Sequence, residues 1–132
     1  MKNRDIYIIR GILEKWSRYK NINISYIVYK NIKIADTLIE TFNKLIYNND
    51  IYQFKKKKIC EKYSSEIKDN KYIINEDNKK KFNDEMDLLD FNYLKSNELL
   101  NKELKIKFYK IKKEHLPKDI SANELNEISF MI

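Results

Sequence analysis

The longest amphipathic pattern in this 132-residue chain runs over residues 22–66 and contains neither glycine nor proline. Apolar residues recur in it at steps that are mostly three or four, which predicts helix rather than strand. They are Ile24, Ile27, Val28, Ile32, Ala35, Leu38, Phe42, Leu45, Tyr52, Ile59 and Tyr63. The polar run Asn48, Asn49 and Asp50 leaves two interpretations open, one long helix or two helices broken at this run.

Further helices are predicted on both sides of this stretch. A first helix of about four turns opens at Asn3 and carries Trp16, which we expect in the core. Gly11 lies inside that helix, where it costs about 1 kcal/mol relative to alanine, so we expect it to permit close approach of a neighbouring helix. A later helix is expected from a cap at residues 75–77 to about Leu100. Two long amphipathic helices joined by a short segment should pack antiparallel.

Two short segments are expected to be strands. Tyr72, Ile73 and Ile74 form a short apolar run after a turn at residues 68–70. Residues 103–111 alternate apolar and polar positions, the clearest period-two pattern in the chain, and we expect them to pair with the Tyr72 segment. The predicted fold is therefore helix-dominated α+β: a long antiparallel helical hairpin, an N-terminal helix and a small two-stranded antiparallel ribbon.

The C-terminal region begins with a capping-box pattern at Ser121 and Glu124, which predicts one short helix. The chain then ends in Phe130, Met131 and Ile132. An apolar end of this kind is expected either to fold back onto the core or to dock on a partner.

Length and composition narrow the class of protein. The length predicts a single domain over residues 1–132. The one cysteine, Cys60, excludes an internal disulfide, and no apolar run approaches the roughly 20 residues of a membrane span. We expect a soluble, cytosolic protein with no cofactor and no membrane partner. One histidine, one cysteine and no compact acid–base pair make an enzyme the least favoured class.

The net charge of +7 suggests nucleic-acid binding, but a second interpretation competes with it. The chain is rich in Asn, Ile, Lys and Tyr and has only three arginines, a composition that an AT-rich genome would produce. Arginine, moreover, is the preferred residue for bidentate contacts to guanine and phosphate. The candidate lysines for a partner or nucleic-acid contact are Lys55, Lys58, Lys62, Lys105 and Lys107. Four acidic residues, Asp84, Glu85, Asp87 and Asp90, are expected to be solvated or to pair with lysines of the facing helix.

Short strings of the sequence lie at the predicted element boundaries: residues 2–5, 24–32, 70–74, 104–108, 120–125 and 130–132. In these strings the chain resembles a family of small phage and prophage proteins from low-GC bacteria, of the domain of unknown function 1617 type. The resemblance implies a phage gene product in the host bacterial cytosol, with no enzymatic residues to transfer. We therefore expect a non-enzymatic protein that binds a bacterial or phage protein or nucleoprotein, for example an inhibitor of a bacterial defence system of the anti-CRISPR type. The alternatives are a virion-assembly accessory protein or chaperone, and a lysine-mediated nucleic-acid binder.

Overall fold

A computed structural model describes all 132 residues and contains six α-helices and one two-stranded antiparallel sheet. The elements are α1 (Asp5–Ser17), α2 (Ile22–Tyr47), α3 (Asp50–Tyr63), β1 (Ser64–Lys68), β2 (Lys71–Ile74), α4 (Glu76–Lys95), α5 (Glu98–Asn101) and α6 (Ala122–Glu127), with 3₁₀ turns at Lys113–His115 and Ser129–Met131. This confirms the helix-dominated α+β class. The chain forms two compact units, Met1–Phe42 with Asn101–Ile132, and Asn43–Leu100. The single domain expected from the length stays a prediction.

The first unit is built on α1, the first part of α2 and the C-terminal segment. Its buried apolar side chains are Ile6, Ile9, Leu13, Trp16, Ile24, Val28, Ala35, Phe42, Phe108, Ile111, Ile128, Phe130 and Met131. Trp16 lies in the core as expected. The chain end folds back onto the core rather than extending into solvent, since Met131 is fully buried. The capping box is also confirmed, because the Ser121 and Glu124 side chains each accept a hydrogen bond from the other residue's N–H.

Gly11 does not serve the purpose expected of it. It is exposed on α1, and a Cβ atom added there would meet nothing within 4 Å. No neighbouring helix approaches this position, so the close-approach prediction is wrong. Gly11 therefore contributes only its conformational freedom, which disfavours the helix.

The second unit resolves the question of the long helix in favour of two helices. The Asn49 side chain accepts hydrogen bonds from the N–H groups of Ile51 and Tyr52, and so caps a new helix at the predicted break. Helices α3 and α4 are antiparallel, because Tyr52 near the start of α3 contacts Asp90 near the end of α4, whereas Tyr63 at the end of α3 contacts Glu85.

The predicted strand pairing is wrong. Strand β2, which contains the Tyr72 segment, pairs with β1, and helix α3 ends at Tyr63, which frees the following residues to form that strand. The connection is a two-residue turn in which Asp69 and Asn70 have φ values of 52° and 61°. Two consecutive residues in the left-handed backbone conformation form a turn whose twist matches that of an antiparallel β-hairpin. Strand β2 therefore pairs with β1, the segment that directly precedes the turn. Residues 104–112 form no strand, so the strand predicted over residues 103–111 is also wrong. Only Glu103 forms an isolated bridge, with Lys2.

Candidate functional site

Three of the predicted lysines lie on α3, and two of them already have partners. The Lys62 ammonium donates to Glu85 Oε1 at 2.7 Å, and this hydrogen bond raises the Lys62 pKa and lowers that of Glu85. Lys58 lies 3.9 Å from Glu61 Oε2, with its ammonium 5.3 Å from the centroid of the Phe54 ring. Only Lys55 of this group lacks such a partner. The pairing of Glu85 with Lys62 matches the expectation for the acidic residues of α4.

The other two predicted lysines, Lys105 and Lys107, belong to the first unit. Both are exposed on the extended segment 104–112, and Lys105 lines a concavity with Leu38, Phe42 and Ile106. The two groups of lysines thus fall in different units. Their role in binding stays a prediction.

A site that the sequence did not suggest lies at the start of α2. A concavity of about 400 Å³ is bounded there by α2 and by the segment that follows Tyr109. We call it the tyrosine–lysine cleft, and it is lined by Ile22, Asn23, Tyr26, Ile27, Lys110, Lys112 and His115. No Asp, Glu, Ser, Thr or Cys is among these residues.

The α2 wall of the cleft is an exposed helix face with an apolar and aromatic character. Ile22, Tyr26 and Tyr29 are 77%, 59% and 55% exposed, although large apolar side chains are usually placed inside. Lys30 and Lys33 follow these residues at steps of three or four positions, about one helical turn. All five side chains therefore lie on one side of α2. The opposite side carries the buried Ile24, Val28, Asn31 and Ala35.

The second wall is held in place by a buried amide. Asn31 is fully buried, its Oδ1 accepts from the Tyr109 N–H at 2.7 Å, and its Nδ2 donates to the Tyr109 carbonyl at 3.0 Å. These two bonds, one to the N–H and one to the carbonyl of Tyr109, are the bonds that a residue on a neighbouring strand would form. The Asn31 side chain forms them instead. Tyr109, which is 47% exposed, is thereby fixed beside α2.

The chain end supports the same wall from behind. The Ile111 N–H donates to the Met131 carbonyl at 2.6 Å, and the Lys110 ammonium donates to the Phe130 carbonyl at 2.8 Å. The Phe108 and Phe130 rings meet edge to face with centroids 5.2 Å apart. The cleft therefore rests on the core of the first unit rather than on a free loop.

The cleft has a positive charge that no carboxylate of the chain neutralises. The Lys30 ammonium lies 4.0 Å from the ring centroid of Tyr109 and 5.0 Å from that of Tyr26, and the Lys33 ammonium lies 4.7 Å from the Tyr29 centroid. Cation–π contacts of this kind orient an ammonium without removing its charge. Lys110 and Lys112 line the cleft, and Lys30 and Lys33, beside the tyrosine rings, form what we call its rim. None of these four lysines forms an ion pair.

The potential metal ligands do not converge anywhere in the structure. No group of three or more His, Cys, Asp or Glu side chains is arranged to hold a metal ion. His115 lines the cleft among lysines, and Cys60 is half-buried in the other unit.

One feature of the sequence could have indicated the cleft. Asn31 occupies a core position in the apolar stripe of α2, and a buried polar side chain requires a hydrogen-bond partner. The partner, Tyr109, lies 78 residues away and could not be identified from the pattern.

Comparisons with protein-family models, with curated proteins and with solved structures find no match to this chain. The resemblance to the phage family therefore stays a prediction. None of the helices combines the length and the apolar character that crossing a membrane requires.

Proposed function

We propose that this protein acts without catalysis, by binding another protein in the cytosol of a bacterium, and that the tyrosine–lysine cleft is its contact surface. The observation that carries the proposal is an exposed aromatic surface beside one concavity. Tyr26 lines the concavity, and the Lys30 ammonium lies over the rings of both Tyr26 and Tyr109. Tyrosine is enriched at protein interfaces because its ring buries a large apolar area while its hydroxyl remains able to form hydrogen bonds.

The chemistry of the cleft supports a binding function more than a catalytic one. Acid–base and nucleophilic catalysis need a titratable or nucleophilic side chain within hydrogen-bond reach of a second group. His115 has only lysines, Asn23 and the Tyr26 hydroxyl as polar neighbours in the lining, and it forms no side-chain hydrogen bond with any of them. Preformed walls reduce the conformational entropy lost on binding, and the bonds of Asn31 to Tyr109 supply such a wall.

The resemblance to phage and prophage proteins supports a specific form of this proposal. A small phage protein that binds a host protein could inhibit a bacterial defence system, as anti-CRISPR proteins do. Binding to a phage structural protein, as an assembly accessory protein or chaperone, is the second form. Both forms use the same cleft and differ in the identity of the partner.

The test is affinity purification of the N-terminally tagged protein from phage-infected and from prophage-bearing bacteria, followed by mass spectrometry. The variant Tyr26→Ala/Tyr109→Ala removes both rings that flank Lys30. The matched control is Ile8→Ala, because Ile8 is 68% exposed on α1 outside the cleft. We expect one stoichiometric partner with the wild type and the control, and its loss with the double variant. A partner that the double variant retains would exclude the cleft as the contact surface.

Nucleic-acid binding is the second candidate, and the net charge of +7 favours it. It would use Lys55, Lys58, Lys62, Lys105 and Lys107. The pairing of Lys62 with Glu85 opposes it, because a neutralised lysine releases fewer counterions on binding. Neutralising these lysines should weaken binding to an oligonucleotide and reduce its salt dependence if this candidate holds.

A further inference from the structure

We infer that the tyrosine–lysine cleft binds an acidic segment of its protein partner, with an apolar side chain of that segment in the concavity and carboxylates on either side of it. This inference rests on the proposed function and names the chemistry of the partner. Its first support is charge complementarity. The cleft and its rim carry four lysines with no ion pair, and the cleft lining contains no carboxylate.

The nearest acidic residue along the chain does not compensate this charge. Glu114 directly precedes His115, but it lines a neighbouring concavity with Leu116, Pro117 and Lys118. Lys110 is held by the Phe130 carbonyl, an uncharged acceptor, so its charge also remains. A carboxylate from a partner would be the first anion within ion-pair distance of these ammonium groups.

The second support is the supply of hydrogen-bond donors. The hydroxyl groups of Tyr26, Tyr29 and Tyr109 have no hydrogen-bond partner within the chain. Ammonium groups are donors only, and a phenol hydroxyl beside them is free to donate as well. A surface rich in donors fits a ligand rich in acceptors, and an ionised carboxylate is an acceptor at both oxygens.

The third support is the apolar part of the lining. Ile22 and Ile27 line the concavity together with Tyr26, and its volume of about 400 Å³ is at the lower end of the range for ligand pockets. This volume suits one or two apolar side chains. A partner segment with a leucine-like side chain between acidic residues would fill the concavity with that side chain and pair its carboxylates with the lysines.

The ring positions favour a peptide over a single-stranded nucleic acid. Nucleic acids bind such surfaces by stacking bases on aromatic ring faces. Here the Lys30 ammonium lies over both Tyr26 and Tyr109, and the Lys33 ammonium lies over Tyr29, so each tyrosine has one face covered. No arginine lines the cleft, although arginine is the usual cation for phosphate forks.

Selection from a library of random dodecapeptides on the immobilised full chain tests the inference. We expect the selected peptides to be enriched in Asp and Glu around an apolar residue. Their affinity, measured by fluorescence anisotropy, should fall by about tenfold or more in Lys30→Gln/Lys112→Gln and decrease with added salt. The matched control Lys56→Gln/Lys57→Gln removes the same charge from exposed α3 positions and should leave the affinity unchanged.

Three results would overturn the inference. They are selected peptides without an acidic bias, equal losses in the cleft and control variants, and oligothymidylate binding more tightly than the best peptide at the same salt concentration. These results are distinguishable from failure of the proposed function. A cellular partner whose capture requires Tyr26 and Tyr109, together with selected peptides that are not acidic, would keep the function and reject the acidic segment.

Discussion

The side-chain amide of Asn31 forms two hydrogen bonds with the backbone of Tyr109, although the two residues are 78 positions apart. This pairing attaches the extended segment 104–112 to α2 and places the Tyr109 ring beside Lys30. A single buried side chain thus provides both stability and the geometry of the cleft.

Replacing Asn31 by alanine should remove both hydrogen bonds to the Tyr109 backbone and leave a cavity where the buried amide lay. Each lost hydrogen bond costs about 0.5–1.5 kcal/mol, so we expect the free energy of unfolding to fall by about 1–3 kcal/mol. Urea denaturation followed by far-ultraviolet circular dichroism measures this loss. Asn23→Ala is the matched control, because Asn23 is exposed on the same helix, and its effect should stay within about 0.5 kcal/mol. Equal stability of the two variants would contradict the role given to Asn31.

Replacing Gly11 by alanine should stabilise the protein. The position is helical and open, so the added methyl group meets no neighbour and the unfolded chain loses conformational freedom. The expected gain is about 0.5–1 kcal/mol in the free energy of unfolding. Thermal denaturation should show a higher midpoint, and a lower one would mean that a neighbour packs against Gly11 after all.

The turn between β1 and β2 offers a paired test at Asn70, whose φ is 61°. Glycine adopts this left-handed conformation without steric cost, so Asn70→Gly should raise the free energy of unfolding by about 0.5 kcal/mol. Valine is β-branched and should lower it by about 1–2 kcal/mol. Urea midpoints of the two variants should therefore move in opposite directions. Movement in the same direction would be inconsistent with the turn described here.

The Tyr52 hydroxyl makes the stability of the second unit depend on pH. Burial, together with the hydrogen bond to Asp90 at 2.6 Å, raises the pKa of Tyr52 above its usual value. The unfolded state therefore releases this proton first, near pH 10, while the folded state keeps it. The stabilisation is complete below about pH 10 and is lost as the pH rises towards the folded pKa.

The variant Tyr52→Phe keeps the ring contacts with Tyr47 and Tyr93 but has no proton to lose. Its free energy of unfolding should decrease less between about pH 9 and about pH 11 than that of the wild type. Tyr26→Phe, at an exposed tyrosine of the first unit, should behave as the wild type does. The prediction fails if both variants show the same slope with pH.

The sequence identified the features that depend on local patterns. Helix periodicity and caps are local, so the capping box at Ser121 could be predicted. The helix break at Asn49 and the burial of the Met131 end were each one of two alternatives that the sequence left open. The β1–β2 hairpin was not predicted because residues 64–68 do not alternate apolar and polar positions and directly follow helix α3. The cleft was missed because α2 and residues 110–115 come together through long-range contacts, such as the bonds of Asn31 to Tyr109, which no periodicity contains.

The burial of Trp16 has a practical consequence for studying the two units. It is the only tryptophan of the chain, it is 3% exposed, and its ring stacks on Tyr19 with centroids 5.4 Å apart. Its fluorescence emission therefore reports unfolding of the first unit alone, whereas the helical dichroism signal arises from both units. Coincident midpoints from the two signals would show one cooperative transition, and separate midpoints would show that each unit unfolds independently.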